Sequence, residues 1–295
     1  MDVSQGLSIG EWLETSHLQL WRFGHDRAIG FGEDLQRLCR ALASELNSLH
    51  KRARFNGCIE DKKSFLNNIL VHKSYQVELK RHPSSDTYTT TDTTGILKDL
   101  KGFINLIKYI GDNHRPLGIM DLPLEYHQFF ELVDEFKDLL NQTNLQRNMY
   151  GHLRDAEFWI FNFPAFLEPS EKFEIVEKLQ RLNNDEKLLE KLKLSVDPEW
   201  VDVIMYDDFD HERINRINGS SISEYDVANG KFANFVNKFL DSIEFRSAVA
   251  NYFQDFFPYA FGELYIAVYK YLPKYDRYFE LITFLTNGYR GPFLV

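Results

Sequence analysis

The sequence has little sulfur and no long hydrophobic run. Only two of its 295 residues are cysteines, Cys39 and Cys58, and four are methionines. Two cysteines are too few for a disulfide framework or a cysteine-based zinc site, so we expect both thiols to stay reduced. No basic start leads into an apolar signal segment, and no stretch of about 18 apolar residues occurs. We therefore expect a cytoplasmic protein that makes no membrane contact.

Positive charge is also scarce, because the formal net charge is −10. Affinity for duplex nucleic acid comes mainly from Lys and Arg side chains that neutralise phosphates, so general duplex binding is disfavoured, although a local basic site is still allowed. Hydrophobic residues make up 44% of the chain and aromatic residues 15%. This content is enough for a full core, and it predicts that the core or a groove is rich in aromatic side chains.

Helical periodicity dominates the first half of the chain. Ser8 and Glu11 have the spacing of a capping box, which predicts a helix that runs to about Phe23. Apolar residues three and four positions apart predict further helices at 34–49, 61–81, 96–110 and 124–140. Gly111 follows the third of these helices, where a C-terminal capping glycine is common.

The fold class predicted from this pattern is mainly α. We expect a multi-helix bundle with an aromatic-rich C-terminal helical part and at most one short sheet or hairpin; the best candidate strand lies within 198–208. The polar, threonine-rich segment 83–95 predicts a mobile loop. A softer break near Asp197-Pro198 divides a bundle at 1–196 from the aromatic part at 197–295, and one continuous domain is the alternative.

One short motif carries chemistry: Arg147-Asn148-Met149-Tyr150-Gly151-His152. If the segment is helical, Arg147 and His152 lie within about one and a half turns and can address one phosphodiester. An imidazole can take the 2′-hydroxyl proton of RNA or return a proton to the leaving oxygen. A guanidinium offers fixed donors to the phosphate oxygens, while Asn148 can bind substrate or hold the histidine. This reaction requires no metal or other cofactor.

Arg-Asn followed by three residues and His resembles the signature of the HEPN superfamily of helical ribonucleases. These enzymes are common in toxin–antitoxin, abortive-infection and CRISPR-associated systems. The resemblance covers these six residues and the helical setting with an amphipathic helix upstream. It implies that Arg147, Asn148 and His152 are catalytic and that RNA is the substrate. It also implies a homodimer in which two such motifs face each other, acting in a defence or toxin setting.

A purely structural role for the motif is the competing interpretation. In that case Arg147 and Arg154 form surface ion pairs with Asp155 or Glu157, and His152 is a polar residue at a helix start whose hydrogen bonds are satisfied. The protein would then be a non-enzymatic helical interaction module, such as an inhibitor, adaptor or effector component. Its protein partner would dock on the aromatic C-terminal helices, whose tyrosines include some that must reach a surface.

A second cluster, Asp207-Asp208-Phe209-Asp210-His211-Glu212, suggests a third and weaker hypothesis. Asp207, Asp208 and Asp210 supply oxygen ligands of the kind that Mg²⁺ prefers, so a magnesium-dependent enzyme is the alternative to metal-independent chemistry. The competing interpretation is an acidic turn near a helix N-terminus, where the helix dipole favours negative charge.

Overall fold

The computed structural model describes residues 6–15, 17–23, 28–51, 59–73, 75–80, 93–115, 121–142, 149–168, 171–172 and 260–271. The chain divides into two compact units, 1–166 with 291–295, and 167–290. The predicted boundary at 196/197 lies outside the described residues and stays a prediction.

Most of the described residues are helical. In chain order the elements are β1 (Leu7–Ser8), α1 (Ile9–Leu13), β2 (Trp21–Phe23), β3 (Ala28–Phe31), α2 (Glu33–Lys51), α3 (Lys62–Asn68), β4 (Ile69–Val71), β5 (Val77–Leu79), α4 (Thr93–Asn113), α5 (Leu124–Glu135), α6 (Lys137–Leu140), α7 (Tyr150–Phe161), a 3-10 turn (Pro164–Phe166) and α8 (Ala260–Tyr271). The mainly α fold class is confirmed for this part of the chain. None of its helices is long and apolar enough to cross a membrane.

Helix α1 begins at the predicted capping box. The Ser8 hydroxyl accepts from the Glu11 amide at 3.3 Å, and the Glu11 carboxylate accepts from the Ser8 amide at 2.9 Å. The helix ends at Leu13, so its predicted extension to about Phe23 is wrong. Capping fixes where a helix starts, but it carries no information about where the helix stops.

Strands β2 and β3 pair antiparallel to each other. Trp21 packs edge-on against Phe31, with 5.8 Å between ring centroids. The Trp21 indole N–H also donates to the carbonyl of His114, at 2.6 Å. These contacts join distant parts of the sequence, so they override the weak local helix propensity of the segment.

A three-stranded antiparallel sheet of order β1-β4-β5 occupies part of the segment predicted as one helix at 61–81. Helix α3 starts at its Asp61 cap, whose carboxylate accepts from the Ser64 amide at 2.9 Å. It ends at Asn68, because the apolar run Ile69-Leu70-Val71 pairs with strands on both sides. The described residues therefore contain two small sheets, whereas the sequence pattern predicts at most one.

Helix α4 extends beyond its predicted limits at both ends. It starts at Thr93, so the last three residues of the predicted loop at 83–95 are helical; 83–92 lie outside the described residues. A polar first turn is compatible with a helix, since the first four backbone amides of a helix have no hydrogen-bond acceptor within it. Gly111 lies inside α4 rather than behind it. A Cβ there would come within 2.5 Å of the Tyr126 ring, so this glycine allows α4 and α5 to approach closely.

The predicted helices at 34–49 and 124–140 are confirmed as α2 and as the pair α5 and α6. Phe136 separates the latter two, because it ends α5 and precedes α6. Helix α2 buries the predicted apolar stripe of Leu35, Leu38, Leu42 and Leu46.

The core of the first unit is centred on Phe166, which has no exposed surface. Its ring lies 5.3 to 6.1 Å, between centroids, from those of Phe31, Phe103, Phe129 and Phe163. These rings come from β3, α4, α5 and the segment after α7. The predicted aromatic-rich core is therefore present, and it joins elements distant in the sequence.

We predict opposite stability effects for alanine at two helical glycines. A Cβ on Gly102 in α4 would lie 2.1 Å from the Ile59 carbonyl oxygen, whereas a Cβ on Gly151 in α7 would meet nothing within 4 Å. Gly102→Ala should lower the free energy of unfolding by about 1–3 kcal/mol through overpacking. Gly151→Ala should raise it by up to about 1 kcal/mol through helix propensity. Urea denaturation of both variants checks this, and equal effects would contradict the packing described for α4.

Candidate functional site

Helix α7 carries the described end of the motif. Met149 is its N-cap residue, and His152 lies in the first turn. Arg147 and Asn148 lie outside the described residues, so their approach to His152 stays a prediction. The structure therefore places one of the three predicted catalytic residues.

His152 is exposed to solvent. Gly151 beside it is exposed too, with open space on its Cα. Tyr150, at the start of the helix, has 42% of its surface exposed. The described end of the motif is thus open to a large ligand.

The same helix turns a different face to the interior. Leu153, Ala156 and Ile160 have no exposed surface, and Trp159 has 1%. The apolar face packs α7 against α2, α4 and α5. Burial of this face fixes α7, and with it the backbone position of His152.

Arg154 joins α7 to α2. Its guanidinium donates to the Glu157 carboxylate and, at 2.8 Å, to the Asn47 side-chain oxygen. The structural interpretation of the sequence predicts Glu157 as a partner of Arg154, but in a surface ion pair, whereas Glu157 is 2% exposed. The corresponding prediction for Arg147 stays untested, because that residue is not described.

Glu157 belongs to a buried cluster that the sequence analysis missed. His50 of α2 lies between two carboxylates: its Nδ1 faces Glu157 of α7, and its Nε2 lies 3.1 Å from the Asp99 carboxylate of α4. All three residues are at most 2% exposed. We call His50, Asp99 and Glu157 the buried triad. It ties three helices together at one point.

The buried triad holds a proton on His50. Burial by itself would lower the pKa of this imidazole. The charge of Glu157, and hydrogen bonds and charge from both carboxylates, outweigh burial and raise the pKa of His50 to about 9. His50 is therefore an imidazolium at neutral pH, and both ring nitrogens donate.

The sequence did contain a signal for the buried triad. His50 lies four residues after Leu46 in α2, Asp99 lies three after Ile96 in α4, and Glu157 lies four after Leu153 in α7; these three apolar residues are buried. Each ionisable residue thus occupies a position that the apolar periodicity assigns to the interior. One histidine and two carboxylates at such interior positions of three helices predict a buried ion cluster.

Two basic side chains, Lys51 and Arg154, lie next to the buried triad. Lys51 ends α2 and is exposed, one turn after Asn47, which binds Arg154. The pKa of the Lys51 ammonium is lowered, first by partial burial and then by the positive charge of Arg154. Two cations therefore lie near each other where α2 meets α7.

The metal hypothesis stays a prediction. Asp207, Asp208 and Asp210 lie outside the described residues. Within the described ranges, no group of three or more His, Cys, Asp or Glu side chains has an arrangement that could hold a metal ion. In the buried triad, the carboxylates face the imidazole nitrogens rather than a shared empty position.

We predict that the buried triad makes stability depend on pH. Because the pKa of His50 is raised on folding, its contribution is complete below pH 6.5 and is lost as pH rises through about 9. The free energy of unfolding should fall by about 3 kcal/mol across this window. Urea denaturation from pH 6.5 to 9 measures it.

His50→Gln should remove most of this pH dependence. It should also cost about 3–5 kcal/mol at pH 6.5, because Asp99 and Glu157 lose the buried cation that they share, although Glu157 still pairs with Arg154. His127→Gln, at an exposed histidine of α5, is the matched control and should retain the wild-type slope. A flat wild-type profile would contradict a charged His50.

Comparison with known proteins supplies no independent assignment. No family model, no curated protein and no solved structure matches this chain significantly.

Proposed function

We propose that the protein is a metal-independent endoribonuclease in which His152 transfers protons and Arg147 stabilises the phosphate. One observation carries the proposal: the motif histidine is exposed in the first turn of a helix whose other face is anchored in the core. A defence or toxin setting is part of the same proposal, and it rests on the resemblance of the motif to HEPN ribonucleases.

The environment of His152 supports a role in proton transfer. Within the described part of the chain, no hydrogen bond or ion pair engages its imidazole. This distinguishes it from His50, whose two nitrogens are both occupied. A histidine that exchanges protons with substrate needs such a free ring nitrogen.

The proposed reaction uses the 2′-hydroxyl of RNA as the nucleophile. His152 accepts the proton of this hydroxyl, and the 2′-oxygen bonds to phosphorus as the bond from phosphorus to the 5′-oxygen of the next nucleotide breaks. The imidazolium of His152 then returns the proton to this leaving oxygen. The products carry a 2′,3′-cyclic phosphate and a 5′-hydroxyl. Arg147 donates to the non-bridging oxygens as their charge increases, and Asn148 orients substrate or imidazole.

The alternative function, a non-enzymatic interaction module with an aromatic C-terminal docking surface, has weaker support. In α8, which belongs to the second unit, Phe261, Tyr265 and Ile266 are buried, with at most 4% exposed surface. Buried rings stabilise a core and are not available to a partner.

We predict that the purified full-length protein cleaves single-stranded RNA in the presence of EDTA. His152→Ala should lower the rate by about 10²- to 10⁴-fold, as expected for loss of a general acid or base. His127→Ala is the matched control, because it removes another exposed histidine, on α5. Gel analysis of end-labelled RNA measures the rate, and thermal unfolding checks that both variants fold.

Products that carry 2′,3′-cyclic phosphate and 5′-hydroxyl ends are expected. Equal cleavage by wild type and His152→Ala would overturn the proposal, as would cleavage that EDTA abolishes. A homodimer is part of the expectation from the family resemblance, and sedimentation of the active protein tests it separately.

A further inference from the structure

We infer that Lys51, Tyr150 and Arg154 form a binding surface for single-stranded RNA beside His152. The inference rests on the proposed function and deepens it, because it names the residues that hold the substrate. We call these three residues the α2–α7 surface.

A hydrogen bond and the helical spacing place the two cations near each other. The Arg154 guanidinium reaches from α7 to α2, where it donates to Asn47 at 2.8 Å. Lys51 lies four residues after Asn47 in α2, and residues at this spacing are neighbours on one helix face. The positive charge of Arg154 also lowers the pKa of Lys51, which agrees with this proximity.

The local charge balance favours an anionic ligand. In the cluster below the surface, His50 and Arg154 offset the negative charges of Asp99 and Glu157. Lys51 adds a positive charge, and no described carboxylate pairs with it. The dipole of α2 favours a lysine at its C-terminus, whereas Arg154 is held near that terminus by Glu157 and Asn47.

Tyr150 adds an aromatic group to this positive surface. It lies four residues before Arg154 in α7, so both side chains project from the same face of the helix. Its ring is substantially exposed, and the neighbouring Gly151 leaves room for a ligand to approach the backbone.

The combination fits single-stranded RNA better than an acidic peptide. A single strand presents phosphates to cations and unpaired bases to aromatic rings, and both kinds of group are present here. An acidic peptide would use Lys51 and Arg154 but has no need of Tyr150.

Fluorescence anisotropy of a labelled, unstructured RNA of mixed sequence tests the inference. The full-length His152→Ala protein serves as the background, so that the RNA stays intact during titration. Tyr150→Ala should weaken binding by about 5- to 100-fold, the range for loss of one base stack. Lys51→Gln should reduce the slope of log affinity against log salt by about 0.7, the value for one phosphate contact on a single strand.

Two controls match these changes in chemistry. Phe23→Ala removes an exposed aromatic ring from β2, and Lys137→Gln removes an exposed cation from α6. Neither should alter the affinity or its salt dependence. Thermal unfolding of each variant confirms that the proteins compared are folded.

The outcomes separate this inference from the proposed function. RNA binding that is unchanged by Tyr150→Ala and Lys51→Gln overturns the α2–α7 surface, even if His152→Ala abolishes cleavage. RNA that binds through this surface without being cut by the wild type supports the surface and overturns the nuclease. Competition by a polyglutamate peptide as effective as that by unlabelled RNA overturns the choice of RNA as the ligand.

Discussion

A single buried imidazolium determines how three helices meet. His50 donates from both ring nitrogens, one to Glu157 of α7 and one to Asp99 of α4, and all three side chains are withdrawn from water. Removing His50 would take the shared cation away from two buried carboxylates, and breaking such a buried ion pair is strongly destabilising. The rotation of α2, α4 and α7 about their axes is therefore tightly restricted, because other rotations would separate the three groups.

The proposed function depends on this constraint. Glu157 also accepts from Arg154, so the residue that neutralises His50 inside the protein positions a cation at the surface. The first turn of α7, in which Tyr150 and His152 are exposed, begins four residues before Arg154. A proton on His50 thus stabilises the fold, whereas no described residue engages the imidazole of His152, to which the proposal assigns proton transfer. The two histidines differ in role because they differ in environment.

Local sequence signals predicted elements better than they predicted the ends of those elements. The Ser8 capping box and the leucine stripe of α2 are local, and both are present. The helices predicted at 8–23 and 61–81 instead stop early, where the chain pairs into β2–β3 and β4–β5. The spacing predicts Gly111 as a helix cap, yet its lack of a Cβ makes room for Tyr126. Strand pairing and close helix approach depend on distant residues, so periodicity along one segment does not reveal them.

By itself, the sequence determined the mainly helical class, the aromatic core and the motif histidine at a helix start, because these follow from composition and spacing within single segments. Only the tertiary structure decided that His50, Asp99 and Glu157 meet and that Arg154 of α7 binds Asn47 of α2, which brings Arg154 near Lys51. The polar positions on three apolar stripes were visible beforehand, but which of them become partners depends on how the helices pack. That packing is set by the fit of many buried side chains together, and no single segment encodes it.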